Sequence, residues 1–170
     1  MTSLKGRALQ WLAQREQSRV ELRRKLLPHA MAEAAAAEVG APSAEPAPGA
    51  SLAPAAQVEA VLDWLEAHRY LSHERFAEAR VHARAGRFGN LRIQQELKQH
   101  QVALSPDAAL ALKQSELQRA RAVRERKFAG WPASAAERAK QARFLAGRGF
   151  SPEVIGRLLR GPADPDDDKR

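Results

Sequence analysis

Glu78 and His82 have the spacing best suited to metal chemistry in this 170-residue chain. Four positions apart on a helix, a carboxylate and an imidazole lie side by side, as the ligands of some zinc sites do. No third or fourth ligand has a matching spacing, and the chain contains no cysteine. We therefore interpret the pair as part of a helix surface, and we expect neither a metal nor a cofactor.

Motifs of nucleotide binding and nucleophilic catalysis are missing from the sequence. It has no Gly-x-x-x-x-Gly-Lys-Ser/Thr phosphate loop and no Gly-x-Ser-x-Gly turn. No nucleophile, base and orienting group fall into one pattern. We expect that the protein is not an enzyme.

Basic side chains are the most abundant functional groups in the sequence. The chain has 28 Lys and Arg against 20 Asp and Glu, a net charge of +8. Residues 1–29 carry seven basic and two acidic residues, and residues 119–148 carry nine and two. Such clusters favour polyanionic partners, nucleic acid first, contacted through phosphates. For any single arginine, an ordinary solvated helix surface is the alternative interpretation.

Helices must position these charges, because strong helix formers dominate the composition and no window has the two-residue period of a strand. Ser18, Ser72, Ser105 and Ser151 have the pattern of helix N-caps. Nine helices are predicted, at about 4–15, 18–27, 56–68, 72–85, 89–99, 105–113, 115–129, 134–147 and 151–160.

One apolar pattern occurs three times, with two apolar residues four positions apart on a helix. The pairs are Leu22 and Leu26, Ile93 and Leu97, and Ile155 and Leu159. A short helix with a single apolar stripe must bury it against its neighbours, as in helical repeat proteins. The predicted fold is all-α, an elongated tandem array of three three-helix units at 1–69, 70–114 and 115–161.

Two segments fall outside this array. Residues 30–57 hold 13 alanines and four prolines; their first part extends the second helix in one interpretation, and the Pro/Gly part is predicted to be a flexible insertion. Residues 162–170 are predicted to be a disordered acidic tail. No apolar run approaches the roughly 20 residues that span a bilayer, and the N-terminus lacks the features of a signal peptide. We expect a cytoplasmic protein without a membrane partner.

Three blocks of the sequence, in order, resemble the RecX family of bacterial regulators of the RecA recombinase. They are "ALQWLAQREQSRVELRRKL" (8–26), "YLSHERFAEARVHARAGRFGNLRIQQEL" (70–97) and "FLAGRGFSPEVIGRLL" (144–159). The insertion 30–57 is longer than the family's usual connection. The resemblance implies tandem three-helix repeats. It also implies a regulator that binds the RecA–DNA filament and restrains the ATPase, strand exchange and coprotease activities of RecA in recombination and the SOS response.

The partners expected from this resemblance are RecA and the RecA–DNA filament, together with single- or double-stranded DNA contacted through phosphates; the protein itself is expected to be a monomer. Nine arginines are the candidate contact residues: Arg15, Arg23, Arg24, Arg80, Arg84, Arg87, Arg92, Arg143 and Arg148. Five aromatic residues are assigned to the core: Trp11, Trp64, Phe76, Phe144 and Phe150.

Two other functions stay open on the sequence alone. The first is a non-catalytic, sequence-nonspecific DNA-binding helical protein, or a helix-turn-helix protein that places Arg23 and Arg24 at base edges. The second is a helical scaffold for an unrelated protein.

Overall fold

The computed structural model describes residues 2–40 and 52–160, with the side chains of 38–40 left out. These residues form eight α-helices and contain no strand. The helices are α1 (Leu4–Gln14), α2 (Arg19–Gly40), α3 (Pro54–Ala67), α4 (His73–Ala85), α5 (Asn90–Gln99), α6 (Pro106–Lys127), α7 (Ala135–Gly147) and α8 (Pro152–Leu159). The predicted all-α class is confirmed.

All four predicted serine caps are present. The Oγ atoms of Ser72, Ser105 and Ser151 each accept a hydrogen bond from the backbone N–H three residues further on. Ser18 does the same for Glu21 at 3.1 Å, and the Glu21 carboxylate accepts the Ser18 N–H at 3.3 Å. This reciprocal pair is a capping box, so the start of α2 follows directly from the local sequence.

The predicted end of the second helix at residue 27 is wrong, because α2 continues to Gly40. The alternative interpretation, in which the first part of residues 30–57 extends this helix, is confirmed. A proline removes one helical hydrogen bond and usually ends a helix. Pro28, however, is exposed, and Ala30 two residues later is fully buried in the core. The alanine-rich sequence that follows has high helix propensity, which supports continuation. The Pro/Gly part at 41–51 and the predicted tail at 162–170 lie outside the described residues.

The predicted break between helices 105–113 and 115–129 is also wrong, because α6 is one continuous helix. No glycine or proline interrupts this region. Ser115 does not cap a new helix; its Oγ donates to the Leu112 carbonyl at 3.1 Å inside α6. Leu112 and Glu116 are both buried, so tertiary packing holds the two halves together. The division into units at 1–69, 70–114 and 115–161 stays a prediction.

The chain divides into two compact bodies, which we call the N-terminal body (Met1–Phe76) and the C-terminal body (Ala77–Arg170). In the N-terminal body, α2 packs on α1 and α3, and α1 also contacts α3. Trp11 and Trp64 are partly buried against this core, as predicted. The buried core residues are Leu4, Ala8, Leu22, Leu26, Ala30, Val58, Leu62, Leu65 and Leu71.

In the C-terminal body, α6, α7 and α8 pack against one another and α5 packs on α6. Phe150 is buried in this core and Phe144 packs on its edge, as predicted. The six residues of the repeated apolar pattern are all buried in their respective bodies, which confirms that this pattern marks the core. The main cluster consists of Ala120, Val123, Leu145, Phe150, Val154, Ile155, Leu158 and Leu159.

None of the described helices combines the length and the apolar character needed to cross a membrane. In the same part of the chain, no three His, Asp or Glu side chains come close enough together to hold a metal ion. Glu78 and His82 are both exposed on α4.

Candidate polyanion interface

The turn between α4 and α5 lies directly against the turn between α7 and α8. The Gly89 N–H donates to the Arg148 carbonyl at 2.9 Å, and the Leu91 N–H donates to the Gly149 carbonyl at 3.0 Å. A side chain at Gly89 would collide with the backbone of Gly149 and Phe150. The N–H groups of Gly89, which precedes α5, and of Leu91, in its first turn, are therefore satisfied by backbone far along the chain, and only glycine at position 89 permits this approach.

The Glu116 side chain, on α6, bridges the same two turns by hydrogen bonds. The side chain is buried, with the residue 3% exposed. One carboxylate oxygen accepts the N–H groups of Asn90 and Ser151, each at 3.1 Å, and the other accepts the Ser151 hydroxyl at 3.1 Å. A single negative charge thus lies at the positive ends of both α5 and α8.

We call the contact between these two turns and Glu116 the joint. Arg119, on the next turn of α6, also bonds to it. Burial lowers the pKa of its guanidinium, an effect that the nearby Glu116 carboxylate opposes. Its N–H groups reach the Phe88 carbonyl at 2.9 Å and the Leu112 carbonyl at 3.0 Å. Arg119 is therefore a brace for the α4–α5 turn. Within the described residues its acceptors belong to Ala85, Phe88, Asn90, Leu112 and Ser115.

The braced turn presents a ring of arginines around one aromatic residue. Phe88 is 8% exposed. The guanidinium carbons of Arg92, Arg84, Arg87 and Arg148 lie 4.4, 5.6, 5.7 and 5.7 Å from the centre of its ring. These distances are within cation–π range. Four of the nine predicted contact arginines are thus brought together.

Glu96 neutralises part of this basic surface. Its carboxylate lies 2.9 Å from Arg84, 3.7 Å from Arg92 and 3.9 Å from Arg80. Three predicted contact residues, Arg80, Arg84 and Arg92, therefore share one carboxylate, which partly neutralises the positive charge available to a partner.

In the N-terminal body, two predicted contact arginines have internal partners. Arg15 contacts both oxygens of Glu21, at 3.1 and 3.2 Å. Arg23 donates to both oxygens of Glu59, at 2.5 and 3.0 Å, and this hydrogen bonding raises the pKa of Arg23. Arg23 therefore links α2 to α3, and in this conformation its donors point at Glu59.

The remaining four predicted contact residues are Arg24, Arg87, Arg143 and Arg148. Arg24, Arg87 and Arg143 are exposed and Arg148 is half-buried. None of them forms an ion pair within residues 2–40 and 52–160. Of the nine predicted contact residues, these four are the ones whose charge no described carboxylate neutralises.

Two of these four arginines also line a small pocket in the C-terminal body, with a volume of about 240 Å³. Its lining residues are Arg87, Val123, Arg126, Lys127, Phe144 and Arg148. The candidate contact set from the sequence omitted Arg126 and Lys127. The residues that line the pocket come from the α4–α5 turn, the end of α6 and the end of α7. These segments are far apart in the sequence, so no local sequence pattern could have shown that they form one pocket.

These features define an all-helical protein with an arginine-rich surface on braced turns. Residues 72–104 match the family model for the second three-helix domain of RecX, and residues 114–159 match the model for the third.

Curated relatives extend the similarity over nearly the whole chain. The regulatory protein RecX of Ralstonia pickettii (strain 12J) is 46% identical over 161 residues, covering 94% of this chain and 87% of the relative. That of Herbaspirillum seropedicae is 44% identical over 155 residues, covering 90% and 86%. The chain belongs to the RecX family of regulatory proteins, as its three sequence blocks indicate.

Proposed function

We propose that the protein binds the RecA nucleoprotein filament and negatively modulates the ATPase, strand exchange and coprotease activities of RecA in recombination and the SOS response. Membership in a family of regulatory proteins carries this proposal. Arg24, Arg87, Arg143 and Arg148, the four predicted contact arginines without ion pairs in the described chain, support it, because a filament containing DNA presents a dense array of negative charge. The monomeric state and the cytoplasmic location stay predictions.

The mode of action that fits this arrangement is binding without chemistry. The hydrogen bonds of Glu116 and Arg119 hold the turns that carry Arg87 and Arg148 in place before a partner arrives. A preorganised surface loses less conformational entropy on association than a mobile one. A regulator of this kind restrains its target by remaining bound to it, and not by a chemical reaction.

Hydrolysis of ATP by RecA on single-stranded DNA tests the proposal. The wild-type protein is expected to slow hydrolysis, and Arg143→Glu should raise the concentration needed for half-inhibition several-fold by placing a negative charge at the contact. Arg138→Glu is the matched control, since Arg138 is also exposed on α7 and the change in charge is the same. Unchanged hydrolysis in excess wild-type protein would refute the proposed function.

A sequence-nonspecific DNA-binding protein with no effect on RecA is the second candidate, and the four cations of the small pocket favour it. The helix-turn-helix variant of this function receives less support, because Arg23 is bonded to Glu59 instead of being available for base edges. Binding that is equal across unrelated DNA sequences, with RecA activity unaltered, would favour the second candidate.

A further inference from the structure

We propose that the pocket lined by Arg87, Arg126, Lys127 and Arg148 binds a phosphodiester group of a nucleic-acid strand. The inference deepens the proposed function and rests on it for the presence of DNA at the site of action. It gives this chain a nucleic-acid contact of its own, separate from any contact with RecA.

Charge is the first reason. No acidic residue lines the pocket. Arg126 donates to the Ala122 carbonyl at 3.2 Å and to the Gly86 carbonyl, which fixes its position. The side chains of Arg87, Lys127 and Arg148 make no hydrogen bond or ion pair with the residues that the structure describes. Three unneutralised cations and one anchored cation therefore face one concavity.

Helix ends account for only part of this charge. The helices α4, α6 and α7 all end close to the pocket, at Ala85, Lys127 and Gly147. Each helix C-terminus carries about half a negative charge, so three of them offset roughly 1.5 of the four positive charges. A positive excess remains, which an external anion can neutralise.

The orientation of the guanidinium groups is the second reason. Arg148 lies 5.2 Å from the ring centre of Phe144 and 5.7 Å from that of Phe88, and Arg87 lies 5.7 Å from that of Phe88. Aromatic contacts restrict the guanidinium groups while leaving their N–H donors for an acceptor. Phosphate oxygens accept such forked donors, and a lysine beside them adds a point charge.

A nucleic-acid strand fits these features better than an acidic peptide does. A carboxylate needs the fork of only one arginine, whereas a strand supplies a negative charge at every nucleotide and releases counterions when several are neutralised. The pocket has no Asn, Gln, Asp or Glu side chain with which to read adenine or cytosine edges. Arg126 is held by two backbone carbonyls of the protein, and the proposed contact is to the phosphate backbone, which carries no direct sequence information.

The test is fluorescence anisotropy of a labelled oligo-dT and of a labelled duplex of equal length, over a salt series and without RecA. Lys127→Glu should weaken binding several-fold at low salt. For each phosphate that the variant no longer neutralises, the slope of log affinity against log salt should fall by about 0.7 for single strands or 0.9 for duplex. Lys113→Glu is the matched control, because both lysines are exposed on α6 and Lys113 lies outside the pocket lining. The two probes identify the form of DNA that is bound.

Several outcomes would overturn the assignment. One is the absence of salt-dependent binding of either probe by the wild-type protein; another is an equal loss of affinity in the two lysine variants. RecA hydrolysis measured on the same samples separates the two proposals. If Lys127→Glu relieves inhibition but binds both probes normally, the pocket faces protein and the phosphate assignment fails while the proposed function stands. If Lys127 supports DNA binding but the wild-type protein leaves RecA unaffected, the pocket stands and the proposed function fails.

Discussion

At the scale of single residues, arginines have two different roles: some are buried and hold the interior together, and others are exposed to a partner. Arg124 is 2% exposed; it donates to the Gln141 side chain at 2.8 Å and stacks 4.1 Å from the ring centre of Trp131. Together with Arg119 it braces the interior of the C-terminal body. The basic excess counted over residues 119–148 therefore overstates the charge shown to a partner. Sequence cannot separate the two roles, because acceptors from distant segments determine which arginine is internal.

Replacement of Arg119 by lysine tests its role as a brace. A lysine keeps the positive charge but lacks the planar fork that reaches several carbonyls at once. Leaving buried carbonyls without donors should lower the free energy of unfolding by about 1–3 kcal/mol, measured by urea titration. Arg121→Lys, on an exposed position of the same helix, should change it little. Equal stability of the two variants would refute the role as a brace.

Glu59 predicts an acid dependence of stability in the N-terminal body. Hydrogen bonds from Arg23 and Arg19 lower the pKa of Glu59 from 4.5 to about 2. Because the pKa is lower in the folded state, this stabilisation is complete above about pH 4.5 and is lost as the pH falls towards 2. Its size is modest, since the Glu59 side chain is 38% exposed.

Thermal melts from pH 7 to pH 2 measure this contribution. Glu59→Gln should melt a few degrees lower than wild type at pH 7, and the difference should shrink between pH 4.5 and pH 2. Glu78→Gln, which alters an exposed acid without an ion pair in the described chain, should show a pH profile close to that of wild type. A constant difference across the pH range for Glu59→Gln would rule out the linkage.

At the scale of helices, the predicted starts and ends lie within two residues of those in the structure, except for the end of α2 and the false break inside α6. Ser18, Ser72, Ser105 and Ser151 act within a single turn, so the sequence alone shows them. The unbroken α6 depends on burial of Leu112 and Glu116, and burial is a property of the folded chain. Beyond Pro28, α2 buries only Ala30 among residues 29–37, and the alanine-rich sequence itself favours the helix there.

The close approach of two turns leaves no room for a side chain at Gly89. Gly89→Ala should lower the free energy of unfolding by more than about 2 kcal/mol, because the new carbon meets fixed backbone instead of a movable side chain. Gly156→Ala is the control, since Gly156 lies within α8 with open space around the added carbon. It should stabilise the protein by about 0.5–1 kcal/mol. Urea titration of both variants measures the contrast, and a stable Gly89→Ala protein would contradict it.

At the scale of the whole molecule, the sequence predicted the all-α class, the buried apolar pattern and the family. It did not predict the small basic pocket or the pairing of Arg23 with Glu59. Pairing across helices needs three-dimensional proximity: Arg23 and Glu59 are 36 positions apart, and Arg126 bonds to Gly86 across 40 positions. Composition located the positive charge along the chain, whereas folding decides which charges are neutralised.

The joint between the two turns also sets an order of events during synthesis. The N–H groups of Gly89 and Leu91 find their carbonyl acceptors only at Arg148 and Gly149, and Asn90 and Ser151 share the carboxylate of Glu116. When α5 has just emerged from the ribosome during synthesis, these partner residues have not yet been translated or have not yet emerged. At about 5–20 residues per second, roughly three to twelve seconds of translation separate the two halves of the joint. Until then the start of α5 is left open to water, to chaperones and to proteases.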